Sequence, residues 1–142
     1  MKLLPLLILQ FLCMAYIVFT GPIFTSNIVV LSFEVFALFL IAWTLWTIKF
    51  DKFSLLKQST KKSRLVPKGP FIYIRHPIYT ALIILSTSWV YSQINIPRVL
   101  VWIILMVTVI LTIIYYEHIL SKQVSDFGLY KQRTYRIIPF IY

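Results

Sequence analysis

Acidic residues are scarce in this chain, and charge of either sign is rare. The 142 residues include only four Asp and Glu, and charged residues make up 13% of the sequence, against 60% hydrophobic residues. A soluble domain usually carries about 25% charged residues, so this composition excludes an ordinary soluble domain. The 14 Lys and Arg flank long apolar blocks, which is typical of membrane proteins that contact anionic lipid. We therefore expect membrane lipid, and not nucleic acid, as the partner of this positive charge.

Cysteine is nearly absent as well. The single Cys13 lies within an apolar block and has no second cysteine to pair with, so no intrachain disulfide can form and we expect a packing role for it. Two histidines and one cysteine make no metal site, and we predict none. The sequence also contains no G-x-S-x-G motif, no phosphate-binding loop and no dinucleotide fingerprint.

Apolar residues occur in four blocks that are long enough to cross a bilayer, which takes about 20 residues. The blocks cover roughly residues 3–20, 27–48, 77–93 and 99–116. We therefore predict an all-α polytopic membrane protein in one domain, residues 1–142, with four transmembrane helices. A loop over 49–76 and a tail with an amphipathic helix over 117–142 complete it. The first block resembles a signal peptide, but it is long and no A-x-A cleavage site follows, so we expect a retained span.

The basic residues predict the orientation of these spans. With four spans, the N-terminus, the 49–76 loop and the tail share one side, which holds thirteen of the 14 basic residues, and Arg98 is alone on the other side. The positive-inside rule makes the first side cytoplasmic, in the plasma membrane of a prokaryote or the endoplasmic reticulum of a eukaryote. A short turn over 94–98 makes the last two spans neighbours, so we expect the loop and the tail to meet.

The stretch GPFIYIRHPIYTA, residues 69–81, brings polar groups to the predicted start of the third span. Its polar and aromatic members are Tyr73, Arg75, His76 and Tyr79. Pro77 suits the first turn of a helix, where unbonded N–H groups and the helix dipole favour a carboxylate or a phosphate. The alternative is an interfacial anchor that extends its charge and rings to the lipid headgroups.

Two glutamates are further candidates. Glu117 directly follows the uncharged fourth block, and it is either the first solvated residue beyond the membrane or part of a site. Glu34 lies within the second block, where an ionisable residue is a functional candidate by default. The alternative for Glu34 is a structural role, paired with Ser, Thr or Asn side chains of neighbouring helices.

The tail shows helical spacing at its start. Leu120, Val124 and Phe127 recur as one face of a helix that lies on the interface or continues the fourth span, and we expect Gly128 to end it. His118 follows Glu117 but points to another side of such a helix, so we expect it at the surface.

Two stretches together resemble a known family. Residues 65–84, LVPKGPFIYIRHPIYTALII, resemble the G-P-x-x-Y-x-R-H-P-x-Y signature of the isoprenylcysteine carboxyl methyltransferase and phospholipid methyltransferase family, whose members are membrane enzymes that use S-adenosylmethionine. Residues 130–141, YKQRTYRIIPFI, are similar to the closing Y-x-x-R-x-x-x-x-x-P-F-I pattern of that family. This alignment places Tyr130, Arg133 and Pro139 on the Tyr, Arg and Pro of that pattern. Glu117 and Leu120 take the second Glu and the Leu of the family's signature after the last span.

The chain also departs from the family pattern. Tyr116 stands where the family has the first Glu of a Glu-Glu pair, Val124-Ser125 stands at its Phe-Gly, and the stretch to Tyr130 is one residue shorter. The resemblance covers roughly residues 65–142.

The resemblance implies methyl transfer from S-adenosylmethionine to a lipophilic acceptor at the cytoplasmic interface. The acceptor would be the carboxylate of a prenylcysteine-like molecule, a phospholipid amine or a small thiol. Arg133 would hold an accepting carboxylate, whereas Glu117 would accept the proton of an amine. The implied cofactor-binding residues are Tyr73, Arg75, His76, Pro77, Tyr79, Glu117 and Tyr130.

Two alternatives from other functional classes stay open. The first is a small four-span transporter that uses Glu34. The second is a non-catalytic membrane scaffold of the same family, which the Tyr116 substitution favours.

Overall fold

The computed structural model describes residues 3–22, 26–57, 67–123 and 127–137. Its elements are α1 (Leu3–Phe19), α2 (Ile28–Lys57), a short 3-10 helix (Gly69–Ile72), α3 (Pro77–Ser92), α4 (Ile96–Gln123) and α5 (Phe127–Arg133). Within the described ranges there is no β-strand, only one isolated bridge between Ile74 and Tyr135. The predicted all-α class is therefore confirmed.

Two of these helices are long and apolar enough to cross a membrane, namely Ile28–Lys49 within α2 and Ile96–Lys122 within α4. By the same measure α1 is apolar but has only 17 residues, and α3 has 16. Length and composition thus support two membrane-spanning helices. The four-span arrangement and its orientation stay predictions.

Several helix boundaries differ from the prediction. α2 continues to Lys57, into the predicted 49–76 loop, and α4 begins at Ile96 and continues to Gln123. The helices outlast the apolar blocks because backbone hydrogen bonding does not depend on side-chain polarity, and Lys, Glu and Gln are good helix formers. The connection between α3 and α4 is accordingly shorter than the predicted 94–98 turn.

The predicted tail helix is also different. The first part of the predicted tail helix belongs to α4, which ends at Gln123. This agrees with the prediction that the tail helix continues the fourth span. The expectation that Gly128 ends this helix is wrong, because Gly128 is the second residue of the separate helix α5. Val124 lies outside the described residues.

The helices pack as two pairs, α1 with α4 and α2 with α3, and α3 also contacts α1 and α4. Cys13 and Ile17 of α1 are buried against Leu105 and Val109 of α4, which confirms the packing role of Cys13. The second pair is joined by a cluster of Ala37 and Leu40 with Ala81 and Leu85. Because α3 and α4 are in contact, the third and fourth predicted spans are neighbours, as predicted.

Outside these contacts, the surface of the helices is strongly apolar. Large exposed side chains include Phe11, Phe19, Phe33, Phe36 and Trp46. The interior, in contrast, contains small polar groups, since buried Gln10 donates from Nε2 to Thr112 Oγ1 at 2.9 Å. An apolar exterior with a partly polar interior is the distribution expected of helices that pack in lipid.

Arg98 joins three helices at the end of α4 that is far from Glu117. Its side chain is completely buried at 0% exposure, and Nη2 donates to the carbonyl of Trp89 at 2.6 Å. Gly21, just after α1, lies so close to the guanidinium that any Cβ there would collide with it.

A glycine also positions the segment before α3. Gly69 begins the 3-10 helix with φ of +56°, a left-handed conformation that side chains disfavour, and a Cβ there would meet the side chain of Thr47 in α2. The 3-10 helix therefore lies directly on α2. Pro77 begins α3, which confirms its predicted place in a first turn.

We predict that Gly69→Ala lowers the free energy of unfolding by about 1–2 kcal/mol, the cost of a left-handed conformation for a residue with a side chain. Gly128→Ala is the matched control, because nothing lies within 4 Å of its added Cβ and it sits in a helix. It should raise the free energy of unfolding by about 0.5–1 kcal/mol. Denaturant unfolding in detergent micelles measures both, and a Gly69→Ala protein as stable as the wild type would contradict the prediction.

Candidate active site

The segment before α3 and the tail after α5 lie side by side. We name residues 73–77 the RHP segment and residues 134–137 the tail segment. Tyr135 N donates to Tyr73 O at 2.9 Å, Arg75 N donates to Tyr135 O at 2.8 Å, and His76 N donates to Arg136 O at 3.2 Å. The predicted meeting of loop and tail is thus confirmed, through direct backbone pairing.

Side chains add to this pairing on both sides. Tyr130 OH donates to the carbonyl of Phe71 at 2.9 Å, and Thr80 Oγ1 donates to the carbonyl of Ile137 at 2.8 Å. Burial raises the pKa of Tyr130 to about 12, so its hydroxyl stays protonated and able to donate. Tyr130 therefore anchors α5 to the 3-10 helix.

Arg75 donates hydrogen bonds both to the C-terminal end of α5 and to a carboxylate. Its Nη1 donates to the carbonyls of Lys131 and Thr134 at 2.9 and 2.7 Å, where the last carbonyls of a helix lack intrahelical partners and attract positive charge. Its Nε donates to Glu117 Oε1 at 2.9 Å. Arg75, which the resemblance implies as a cofactor-binding residue, is thus hydrogen-bonded within the protein.

Glu117 is the common partner of these elements. Its side chain is only 4% exposed, and Arg136 reaches Oε2 with Nε at 3.0 Å and Nη2 at 2.9 Å. Lys131 Nζ lies 3.5 Å from the same oxygen. Buried charges are tolerated when they are paired and hydrogen-bonded, so Glu117 is not merely the first solvated residue after an apolar helix. Three cationic side chains surround one carboxylate, and the cluster keeps an excess of positive charge.

His76 lies beside this cluster with an unused nitrogen. Its Nε2 is buried without a hydrogen-bond partner and stands 3.7 Å from Glu117 Oε1, too far for a hydrogen bond. Burial lowers the pKa of His76 to about 4, against the attraction of Glu117, and the charge of Arg75 lowers it further. The imidazole is therefore neutral near pH 7.

The other predicted site residues occupy different surroundings. The Tyr79 ring is half-buried, with its centroid 6.2 Å from that of His76. Tyr73 is 62% exposed. Arg133, at the end of α5, is exposed and does not take part in the ion pairs of Glu117. His118 is exposed, as predicted.

Sequence reasoning missed Arg136, Lys131 and Thr134 as members of the site. The family pattern draws attention to Arg133, but the helical turn of α5 ends there and the extended tail segment brings Arg136 to Glu117 instead. The only signal for Arg136 was its place in a cationic tail. Among the described residues, no His, Cys, Asp or Glu side chains group together as a metal site requires.

We predict that neutral His76 makes the protein less stable in acid. The pKa of His76 is about 4 when folded and near 6.5 when unfolded, so the unfolded chain binds more protons between these values. Stability therefore falls as the pH drops through this window. At 1.36 kcal/mol per unit, the contribution of His76 approaches about 3 kcal/mol.

Denaturant unfolding at a series of pH values between about 7 and 4 tests this expectation. His76→Gln should lose less stability than the wild type over this range, whereas the exposed control His118→Gln should follow the wild type. Identical profiles for the wild type and His76→Gln would show that His76 is not held neutral.

This chain matches no family model, no curated protein and no solved structure. The likeness to the methyltransferase family therefore depends on the two sequence signatures, and of these the structure describes residues 67–84 and 130–137. Pro139 of the second signature lies outside the described residues. The described parts of the two signatures are the segments that pair with each other around Glu117.

Proposed function

We propose that this protein transfers a methyl group from S-adenosylmethionine to a lipophilic acceptor at the cytoplasmic membrane interface. The observation that carries the proposal is the buried, unpartnered Nε2 of His76, in the signature segment where that segment pairs with the tail. An orphaned polar atom in the interior is costly, and a ligand that bonds to it removes the cost.

The surrounding residues fit this cofactor, which would supply a methyl group activated on a sulfonium centre. The neutral imidazole of His76 offers one hydrogen bond, and the first N–H groups of α3 beyond Pro77 have no intrahelical acceptor and favour a carboxylate. The rings of Tyr73 and Tyr79 offer faces to a cation. Arg75, Glu117 and Tyr130 then act as positioning residues that hold the tail against the RHP segment.

The charges favour an acidic acceptor over an amine. Glu117 is engaged by Arg75 and Arg136, so it is a poor acceptor for the proton that an amine must lose. His76, with a pKa of about 4, is also a weak base. A carboxylate needs no deprotonation and is attracted by the excess positive charge, and the exposed cation of Arg133 is free of Glu117 to hold it.

The exterior of the helices supports a lipophilic substrate. Its large exposed apolar side chains suit contact with lipid tails, and α2 and α4 have the length and composition of spans. In the proposed arrangement four helices cross the membrane, both termini are cytoplasmic, and the acceptor approaches sideways from the bilayer.

One observation favours a second candidate, the transporter built around Glu34. Both carboxyl oxygens of Glu34 are buried without a hydrogen-bond partner in the structure. In a transporter of this kind, Glu34→Gln would abolish function. In a methyltransferase, the same substitution would leave methyl transfer unaffected.

A non-catalytic scaffold of the family would instead bind the cofactor without methylating any membrane acceptor.

We predict saturable binding of S-adenosylhomocysteine, the demethylated cofactor, to the detergent-solubilised protein in isothermal titration calorimetry. His76→Ala should weaken this binding about tenfold or more, because a hydrogen bond to a charged ligand group contributes about 1.5–3 kcal/mol. His118→Ala, the other histidine of the chain, should bind within about twofold of the wild type.

Thermal unfolding of each variant shows whether the protein is folded during the titration. A folded wild type that does not bind S-adenosylhomocysteine would refute the methyltransferase proposal. Equal binding by folded His76→Ala would remove His76 from the cofactor site.

Labelled methyl transfer to a prenylcysteine carboxylate, compared with transfer to phosphatidylethanolamine, then tests the preference for an acidic acceptor.

A further inference from the structure

A groove lies between α2 and α3, along the half of α3 that is farther from the RHP segment. The two helices enclose about 550 Å³ there, which is within the range of about 300–1,000 Å³ for pockets that bind small molecules. Its apolar wall is formed by Val29, Val30, Phe33, Ile83 and Ile84. Because Val29 and Phe33 are exposed, the groove opens sideways on the outer surface of the helices.

The polar residues of the groove lie at one end of it. The two helices run in opposite directions, since Thr47 of α2 lies against Gly69 before α3, and Ala37 clusters with Ala81 further along. The start of α2 therefore lies beside the end of α3. The polar lining residues belong to these two ends, namely Asn27, Thr87, Ser88 and Tyr91.

The groove is thus polarised in the same direction as a lipid bilayer. The candidate span of α2 begins at Ile28, so Asn27 lies at the edge of the apolar region, and Phe33 lies about 9 Å further along the helix. Tyr91 is exposed near the end of α3, and tyrosine is enriched at membrane interfaces. A molecule in the groove would place its polar end at the interface and its chain among the lipid tails.

The lining matches an uncharged polar group. Among the described residues that line the groove, none is charged. Arg98, which lies at this end of the bundle, is completely buried and donates to the carbonyl of Trp89. Thr87 Oγ1 donates to the carbonyl of Ile83 at 2.7 Å, and a hydroxyl oxygen has lone pairs that can still accept a hydrogen bond. A ligand hydroxyl can donate such a bond, whereas an ionised headgroup would find no countercharge in the lining.

We propose that the groove between α2 and α3 binds a neutral, hydroxyl-bearing lipid. Its chain lies against the apolar wall, and its hydroxyl groups bond with the residues at the polar end. A phosphate on the same lipid would bring a charge that the lining does not compensate. The groove contains none of the residues assigned to methyl transfer, so this proposal and the proposed function are tested separately.

Photo-crosslinking in phosphatidylcholine vesicles tests this site with two probes. Both carry the same diazirine-labelled chain; one is a monoacylglycerol and the other is its phosphate ester. We expect the monoacylglycerol, and not the phosphate ester, to label the segments of α2 and α3 that line the groove, as identified by mass spectrometry. The labelling should saturate, and an excess of unlabelled monoacylglycerol should suppress it.

Two substitutions test the two ends of the groove. Val29→Trp should abolish the saturable labelling, because the larger ring fills the apolar part. Val35→Trp is the matched control, since Val29 and Val35 are 60% and 59% exposed on α2 but Val35 is not among the lining residues. Tyr91→Phe should weaken the competition by unlabelled monoacylglycerol about two- to tenfold, the range expected for one neutral hydrogen bond.

Thermal unfolding shows whether each variant is folded. The proposal is overturned if the phosphate ester labels the groove as strongly as the monoacylglycerol, or if labelling spreads evenly over the exposed faces of the helices. It is also overturned if folded Val29→Trp is labelled as strongly as Val35→Trp, or if Tyr91→Phe is competed as the wild type is. Labelling that falls as the protein-to-lipid ratio rises would overturn it as well, because a second copy of the chain would then cover the groove.

Discussion

A carboxylate in a protein interior needs matching positive charge, and the site of this protein depends on that requirement at Glu117. The helix α4 carries Glu117 into a buried position where water cannot compensate the charge. Arg75 from the RHP segment and Arg136 from the tail segment supply the compensation from two directions. Removing one partner of such a pair costs about 3–5 kcal/mol. This cost adds to the burial of Phe127 and Ile137 in holding the short tail on the bundle.

The same docking determines what the site offers to a ligand. With Arg75 and Glu117 bound to each other and to the tail, the unused group is Nε2 of neutral His76. The backbone pairing with the tail and the following Pro77 hold His76 at the start of α3. Glu34 of α2 differs from Glu117, because among the described residues no cationic side chain pairs with it. One carboxylate is therefore paired within the protein, and the other is buried without a partner.

The sequence was sufficient for the features that depend on local pattern. The apolar blocks predicted the helices, and Pro77 predicted the start of α3. The shared side of the loop and the tail predicted that the two would meet. The choice of Arg136 over Arg133 could not be predicted, because it depends on where α5 ends and on the register of the tail against the RHP segment. The missing partner of Glu34 likewise depends on which side chains surround it in the folded bundle, and a single sequence does not reveal them.

The most direct test of this account is a double-mutant cycle between Glu117 and Arg136, with unfolding in detergent as the measurement. Glu117→Gln, Arg136→Met and the double variant are compared, and Arg133→Met replaces Arg136→Met in a parallel control cycle. We expect a coupling energy of about 1 kcal/mol or more for Glu117 with Arg136, and near zero for Glu117 with Arg133. Additive effects in the first cycle would contradict the claim that this ion pair holds the tail and the site together.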